Sequence, residues 1–349
     1  MIRLAINGYG RIGRCVFRAL HERADHGLRV VAINEPEDLE SMVYLTRFDS
    51  THGRFPGHVE AGDGCLIVNG ERIAVSHGRR PEDTDWRAMD VDMVLECSGS
   101  FGDRATAERY LAAGVPRLLF SNPMNSRADA DVTVVMGVNE GSIGSDARLV
   151  SNASCTTNCI VPMLRVLDRS LGVEAVSIIT LHSAMNDQPV LDGYHRTDLR
   201  RTRSALHSII PVSTGLARGI ERLLPELEGR VSARHVRMPT INVSAMDASI
   251  EVARDTDPET VNGIFREAAS GPCAGIIACT DLPHASCDFN HDAHSSIVDL
   301  TQTRVSGRRL VSVMAWFDNE WGFANRMLDV AAHWAATSSA RRPAPGARS

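Results

Sequence analysis

The chain has no apolar run approaching the roughly 20 residues that a membrane-spanning helix needs. It has no surplus of positive charge either. Against 37 Lys and Arg stand 43 Asp and Glu, a formal net charge of -6. That balance gives no general attraction to nucleic acid or anionic membranes, so any anion must find a local site. The opening residues, MIRLAING, lack the charged, apolar and small-residue segments of a signal peptide, and the expectation is a cytoplasmic protein. The eight cysteines include no C-x-x-C pair and no spacing that reads as a disulfide framework. In a reducing compartment they are thiols, mostly buried. No internal repeat is present, so the fold is not a repeat array.

What is there exceeds a comfortable single core: 349 residues predict two domains. The first 150 or so residues alternate short Val- and Leu-rich runs with amphipathic stretches, which reads as βαβ units on a parallel sheet. RLAIN, LRVVAIN, VDMVLEC, PRLLFSN and VTVVMGV are the expected strands, with helices from Arg11 to about Ala24 and at DRATAERYLAAG. After Cys155 the character changes. Long β-rich runs (EAVSIITLH, RHVRMPTINVSAMDASIEV, RRLVSVMAWFDNEW) predict a mixed or antiparallel second sheet. Helices are expected at TGLARGIERLLPEL, at DPETVNGIFREAAS with Asp-Pro opening it, and in the final amphipathic segment. The fold class is thus α/β, with a Rossmann-type parallel sheet followed by an α+β part.

Gly8, Gly10 and Gly13 in NGYGRIG have G-x-G-x-x-G spacing between an expected strand and an expected helix. There glycines let backbone N–H groups and a helix N-terminus approach a pyrophosphate. Glu35 closes the next strand, where an acid would hold a ribose 2′-hydroxyl and repel a 2′-phosphate. The reading is an NAD site made by Gly8, Tyr9, Gly10, Arg11, Ile12, Gly13 and Glu35. The bland alternative makes Glu35 the first residue of a loop.

SNASCTTNC places Cys155 where an apolar run ends and a helical pattern starts. A helix N-terminus lowers a thiol's pKa, so an acidified nucleophile is expected, with Asn152, Ser154, Thr156 and Thr157 as caps and donors. Cys159, one turn on, lacks ligand partners and reads as buried. His182 ends the following strand, so a helix-then-strand return brings an imidazole near the thiol as base. His291 and His294 read as loop residues, and no metal site is expected.

Together INGYGRIGR, SNASCTTNC, DLRRTR, IIPVSTG, MPTINVS and WFDNEWGF resemble the glyceraldehyde-3-phosphate dehydrogenase family over nearly the whole chain. The resemblance implies an NAD-binding domain at 1–154 completed by a C-terminal helix at 319–338 and a catalytic domain at 155–318; the composition of ARRPAPGARS separately predicts a disordered tail at 339–349. It implies Cys155 as nucleophile, His182 as base and Asn319 as the residue orienting the nicotinamide amide. It also implies Arg237 on the substrate phosphate, and Ser154, Thr156, Arg201, Thr214 and Gly215 around a second anion. A homotetramer is implied too, with GYHRTDLRRTR in an inter-subunit loop.

One departure bears on the substrate. Members acting on glyceraldehyde 3-phosphate usually carry a threonine three residues after the histidine, where this chain has Met185 in HSAMNDQ. That stretch, NEP, CDFNHDAHSSIVDLTQTRVSG and WFDNEWGFANRMLD are more similar to the erythrose-4-phosphate dehydrogenase branch. The resemblance then implies oxidation of erythrose 4-phosphate to 4-phosphoerythronate, toward pyridoxal phosphate, with phosphorylating glyceraldehyde-3-phosphate oxidation as the alternative. Two readings from other classes compete: RNA binding through Arg196, Arg200, Arg201 and Arg203, which the acidic net charge disfavours, and a cofactor-free cysteine hydrolase, which leaves the glycine fingerprint and Asn319 unexplained.

Overall fold

IRLAIN and LRVVAIN become the adjacent parallel strands Ile2–Asn7 and Leu28–Asn34, connected through the helix Arg11–Glu22. That helix buries every residue from Cys15 to Leu20, so its middle is enclosed on all sides. The structure is a computed structural model describing residues 1–23 and 27–339. Its chain divides into two units, Met1–Ala153 with the stretch from Ala324, and Ser154–Phe323. Of the expected tail at 339–349, only Ser339 lies within the described residues, as the last residue of the helix Trp321–Ser339.

The first unit is built on a nine-stranded sheet. Its spatial order is Val132–Thr133, Leu149–Ser151, Leu118–Phe120, Met93–Glu96, Ile2–Asn7, Leu28–Asn34, Glu71–Ser76, Cys65–Val68, Val59–Gly62. From Val132–Thr133 to Glu71–Ser76 all neighbours are parallel. Leu4, Ile6, Ile33, Met93, Leu95 and Leu118 are fully buried, as strands covered on both faces require. The order reverses between Ile2–Asn7 and Met93–Glu96, so a crevice opens at the carboxyl ends of those two strands.

The sheet departs from the expectation in two places. Residues 59–76 form an antiparallel meander at the edge rather than a βαβ crossover. Its second turn is Asn69-Gly70, both left-handed at φ 52° and 84°, the geometry of a two-residue hairpin. VTVVMGV gives only the two-residue strand Val132–Thr133. Beyond it the Asn139 side chain takes the Val135 N–H and donates to the Thr133 carbonyl, diverting the backbone from a ladder.

The second unit carries a mixed seven-stranded sheet. Its order is Ile210–Val212, Val231–Arg237, Val173–His182, Ser244–Val252, Leu310–Phe317, Ser296–Ser306, Ile277–Thr280. Val173–His182 is parallel to Val231–Arg237 and antiparallel to Ser244–Val252. The run RHVRMPTINVSAMDASIEV therefore breaks into two strands. Pro239 cannot donate to a ladder, and Val243 turns through φ 62° before Ser244. Helices Cys155–Leu171, Leu216–Leu223 and Pro258–Ser270 accompany the sheet; Pro225 ends the second earlier than its apolar pattern suggested. The strand Ser296–Ser306 was not anticipated.

Candidate active site

In the first unit the three glycines do different work. Gly8 has φ 88°, and a Cβ there would lie 2.5 Å from the Ser98 backbone. A Cβ on Gly13 would strike the Gly8 carbonyl, whereas nothing lies within 4 Å of one on Gly10. Gly10 is the N-cap of Arg11–Glu22 and offers no side-chain cap, leaving first-turn N–H groups for an anion. Gly8 and Gly10 border a cavity of about 520 Å³ together with Glu35, Ser98 and Thr106.

Glu35 Oε2 accepts the Tyr9 N–H at 2.6 Å, which ties the acid to the glycine turn. Tyr9 itself can offer only backbone here. Its ring is buried against Phe17 and its hydroxyl pairs with Thr46 at 2.9 Å. Arg11 is likewise occupied, with Nη1 2.6 Å from Asp49. Burial alone would raise the Asp49 carboxyl, but Arg11 and the His52 and Thr51 N–H groups hold it at about 2. Beneath the cavity lies buried Glu96, which accepts the Ser98 N–H at 2.8 Å, the Ser98 hydroxyl and the Asn7 amide. Nothing in the apolar run VDMVLEC singled Glu96 out, although an acid closing a parallel strand is the available signal.

In the second unit Ser154 caps the helix Cys155–Leu171, its Oγ accepting the Thr157 N–H at 3.1 Å. Cys155 is therefore the first helical residue, and His182 closes the next strand. The Cys155 Sγ and His182 Nε2 lie 3.6 Å apart. His182 Nδ1 is 2.9 Å from the Ser183 carbonyl, which can only accept, so that nitrogen carries the proton and Nε2 faces the thiol with its lone pair.

The acidified thiol expected from the helix terminus is not what the surroundings favour. Burial pushes the Cys155 thiol up to about 12, against the pull of its own and the Thr156 backbone N–H groups. Burial, with the nearby Arg237 charge, also lowers His182. Desolvation thus opposes the helix N-terminus at this thiol and favours the uncharged form of each partner.

Arg237 is the parallel register partner of His182 and is buried at 4 % exposure. Its guanidinium grips Asp187 through two contacts of 2.7 and 3.1 Å. Arg201 reaches the same carboxylate at 3.0 Å, so one acid joins the two arginines. Met185 Sδ lies 3.6 Å from Arg237 Nη2. The hydroxyls of Ser154 and Thr156 are paired at 3.0 Å, while Thr214 Oγ1 accepts the Leu216 N–H beside the N-cap Gly215. Among the described residues no hydrogen bond links these hydroxyls to the Arg201 and Arg237 pair. In the arginine run, Arg201 and Arg203 are paired with Asp187 and Asp192, which removes much of its charge.

Asn319 follows Asp318, whose carboxylate takes the N–H groups of Glu320, Trp321 and His291. Asn319 Oδ1 accepts from Ser183 Oγ at 3.0 Å and Ser244 Oγ at 2.9 Å. Ser244 Oγ meanwhile accepts the Ser183 N–H, which ties the two serines and Asn319 into one network. The Asn319 NH₂ group is left to donate elsewhere. Ser183 and Ser244 are 61 positions apart and no local pattern pairs them.

Residues 2–104 match the glyceraldehyde 3-phosphate dehydrogenase NAD binding domain, and residues 154–319 match the C-terminal domain of the same enzymes. No described helix is long and apolar enough to cross a membrane.

Proposed function

Since the chain belongs to the glyceraldehyde 3-phosphate dehydrogenase family and is an NAD-dependent aldehyde dehydrogenase, we propose that its substrate is D-erythrose 4-phosphate and its product 4-phosphoerythronate. The cavity bordered by Gly8, Gly10 and Glu35 suits a dinucleotide: two positions exclude a side chain, a third leaves a helix terminus open, and an acid stands at the ribose end. When bound, NAD supplies the acceptor for a hydride.

The observation that carries the chemistry is the Cys155–His182 pair at 3.6 Å with the Nε2 lone pair toward the thiol. His182 takes the thiol proton as the sulfur bonds to the aldehyde carbon, then returns a proton to the new oxyanion, giving a thiohemiacetal. His182 Nε2 takes the hydroxyl proton when that carbon gives up its hydride, and a thioester on Cys155 remains. Asn319 would offer its NH₂ group to the nicotinamide amide of bound NAD, and Arg237 would hold the substrate phosphate. Water then releases the acid and regenerates the thiol.

Met185 supports the four-carbon substrate. A thioether rests on Arg237 where a threonine would add a hydroxyl to a phosphate shell, and a longer sugar needs its phosphate placed differently. The paired Ser154 and Thr156 hydroxyls favour the second reading, phosphorylating oxidation of glyceraldehyde 3-phosphate, because they form a ready anion contact. Initial rates of NADH formation with each sugar, with and without inorganic phosphate, separate the two. Preference for erythrose 4-phosphate without need of phosphate upholds the proposal; preference for the three-carbon sugar with a phosphate requirement replaces it.

A homotetramer completes the reading. Leu191, Tyr194, Leu199, Leu206 and Ile209 expose apolar side chains along one loop segment, a liability unless another copy covers them. Sedimentation of the purified protein tests it. All eight cysteines are free, as a reducing cytoplasm leaves them.

A further inference from the structure

His235 belongs to neither anion site nor the proton path, yet its ring lies on the ring of the base. The centroids of His182 and His235 are 5.0 Å apart with the planes 27° from parallel, a stacked pair. Strand alternation explains the meeting: His182 is in register with Arg237, and His235, two positions earlier, shares that face. His182 is otherwise held at its edges. Nδ1 is bound to the Ser183 carbonyl, Nε2 faces Cys155, and Phe317 approaches edge-on at 6.4 Å. Only His235 covers a face by stacking among the described residues.

We infer that His235 is a positioning residue for His182, a neutral aromatic platform that fixes the plane of the base and supports it while it carries a proton.

Resting on the oxidation proposed above, the role needs a platform that stays uncharged when His182 becomes cationic. A neutral π-face attracts an imidazolium, whereas a second cation would repel it. The charged groups around His235 are Arg237, Arg201, Asp187 and His182 itself, three potential cations against one carboxylate. Burial first, then His182, Arg237 and Arg201 against the opposing Asp187 carboxylate, hold His235 at about 3, so it is neutral wherever the enzyme works. Its ring nitrogens make no hydrogen bond among the described residues, so the face of the ring is what it contributes.

The test compares His235→Ala and His235→Phe in the full-length enzyme. His235→Ala is expected to lower kcat about tenfold with KM for the aldose phosphate within about twofold, since the base is misaligned rather than the substrate lost. His235→Phe, which keeps the stack and cannot titrate, is expected to restore most of kcat. Alkylation of Cys155 by iodoacetamide, read across pH 6 to 9, reports the pull of His182 without any substrate and should slow in the Ala variant alone. Equal kcat and alkylation in His235→Ala and wild type would overturn the inference, as would a Phe variant no better than Ala while NAD still raises its Tm. Wild-type enzyme that oxidises no aldose phosphate would instead sink the proposed reaction, leaving the alkylation comparison to judge His235.

Discussion

Met185 Sδ lies 3.6 Å from Arg237 Nη2, so a thioether covers one edge of a guanidinium whose other contacts go to Asp187. Sulfur is a weak acceptor and cannot donate to a phosphate. Met185→Thr restores a donor beside Arg237. Its expected effect is a fall of about tenfold in the ratio of kcat/KM for erythrose 4-phosphate over glyceraldehyde 3-phosphate, the scale of one substrate-phosphate hydrogen bond. Specificity constants for both sugars check this, and an unmoved ratio would mean that Met185 does not choose the sugar.

Glu35 faces two tasks that one substitution can separate. Its charge opposes a 2′-phosphate, and its Oε2 holds the Tyr9 N–H. Glu35→Gln keeps an acceptor for Tyr9 while removing the charge, so NAD affinity should change little. NADP affinity should rise by roughly tenfold, the scale of one like-charge contact near a protein surface. Titration of both dinucleotides measures it. If Glu35→Gln loses NAD as well, the acid acts through the glycine turn rather than through charge.

The parts of this fold that sequence made legible are those whose pattern is local. Alternating apolar runs and a glycine turn announced the parallel sheet, and a helix followed by a strand was enough to bring Cys155 to His182. The edge meander escaped because Glu60, Glu71 and Arg72 dilute its apolar alternation, although Asn69-Gly70 was a usable hairpin signal. The protonation of Cys155 escaped for a different reason. A helix N-terminus is visible in sequence, while the burial that opposes it is a property of the folded chain. His235 and the Ser183 and Ser244 hydroxyls are likewise set by strand register, which only tertiary structure supplies.

Stability should be greatest between about pH 6.5 and 9. Folding holds His182 and His235 below their ordinary value of 6.5, so under that pH the unfolded chain binds protons that the folded chain refuses. Stability is therefore present above 6.5 and lost as pH falls. Cys155 is raised from 9.0 to about 12, so above pH 9 the unfolded thiol ionises while the folded one stays neutral, and stability is lost as pH rises. Thermal melts across pH 4 to 11 should show a plateau with two falling flanks. Cys155→Ser should soften the alkaline flank, and His235→Phe the acid one. A melt curve unchanged by either variant would reject the assignment.

Asn319 is aimed by two hydroxyls, and that arrangement predicts a graded loss. Ser183 and Ser244 both donate to Oδ1, which leaves the NH₂ group directed outward. Removing one donor leaves the other; Ser183→Ala should therefore raise the KM for NAD by about threefold to tenfold, the range of one net hydrogen bond. Ser244→Ala should do more, because it also leaves the buried Ser183 N–H without its acceptor. Asn319→Ala sets the ceiling, and adding Ser183→Ala to it should cost nothing further in KM, since a donor with no amide to aim has no remaining task. Steady-state KM for NAD in the two serine variants, Asn319→Ala and the double variant measures this. A double variant clearly worse than Asn319→Ala alone would show that Ser183 acts on the cofactor by some route other than Asn319.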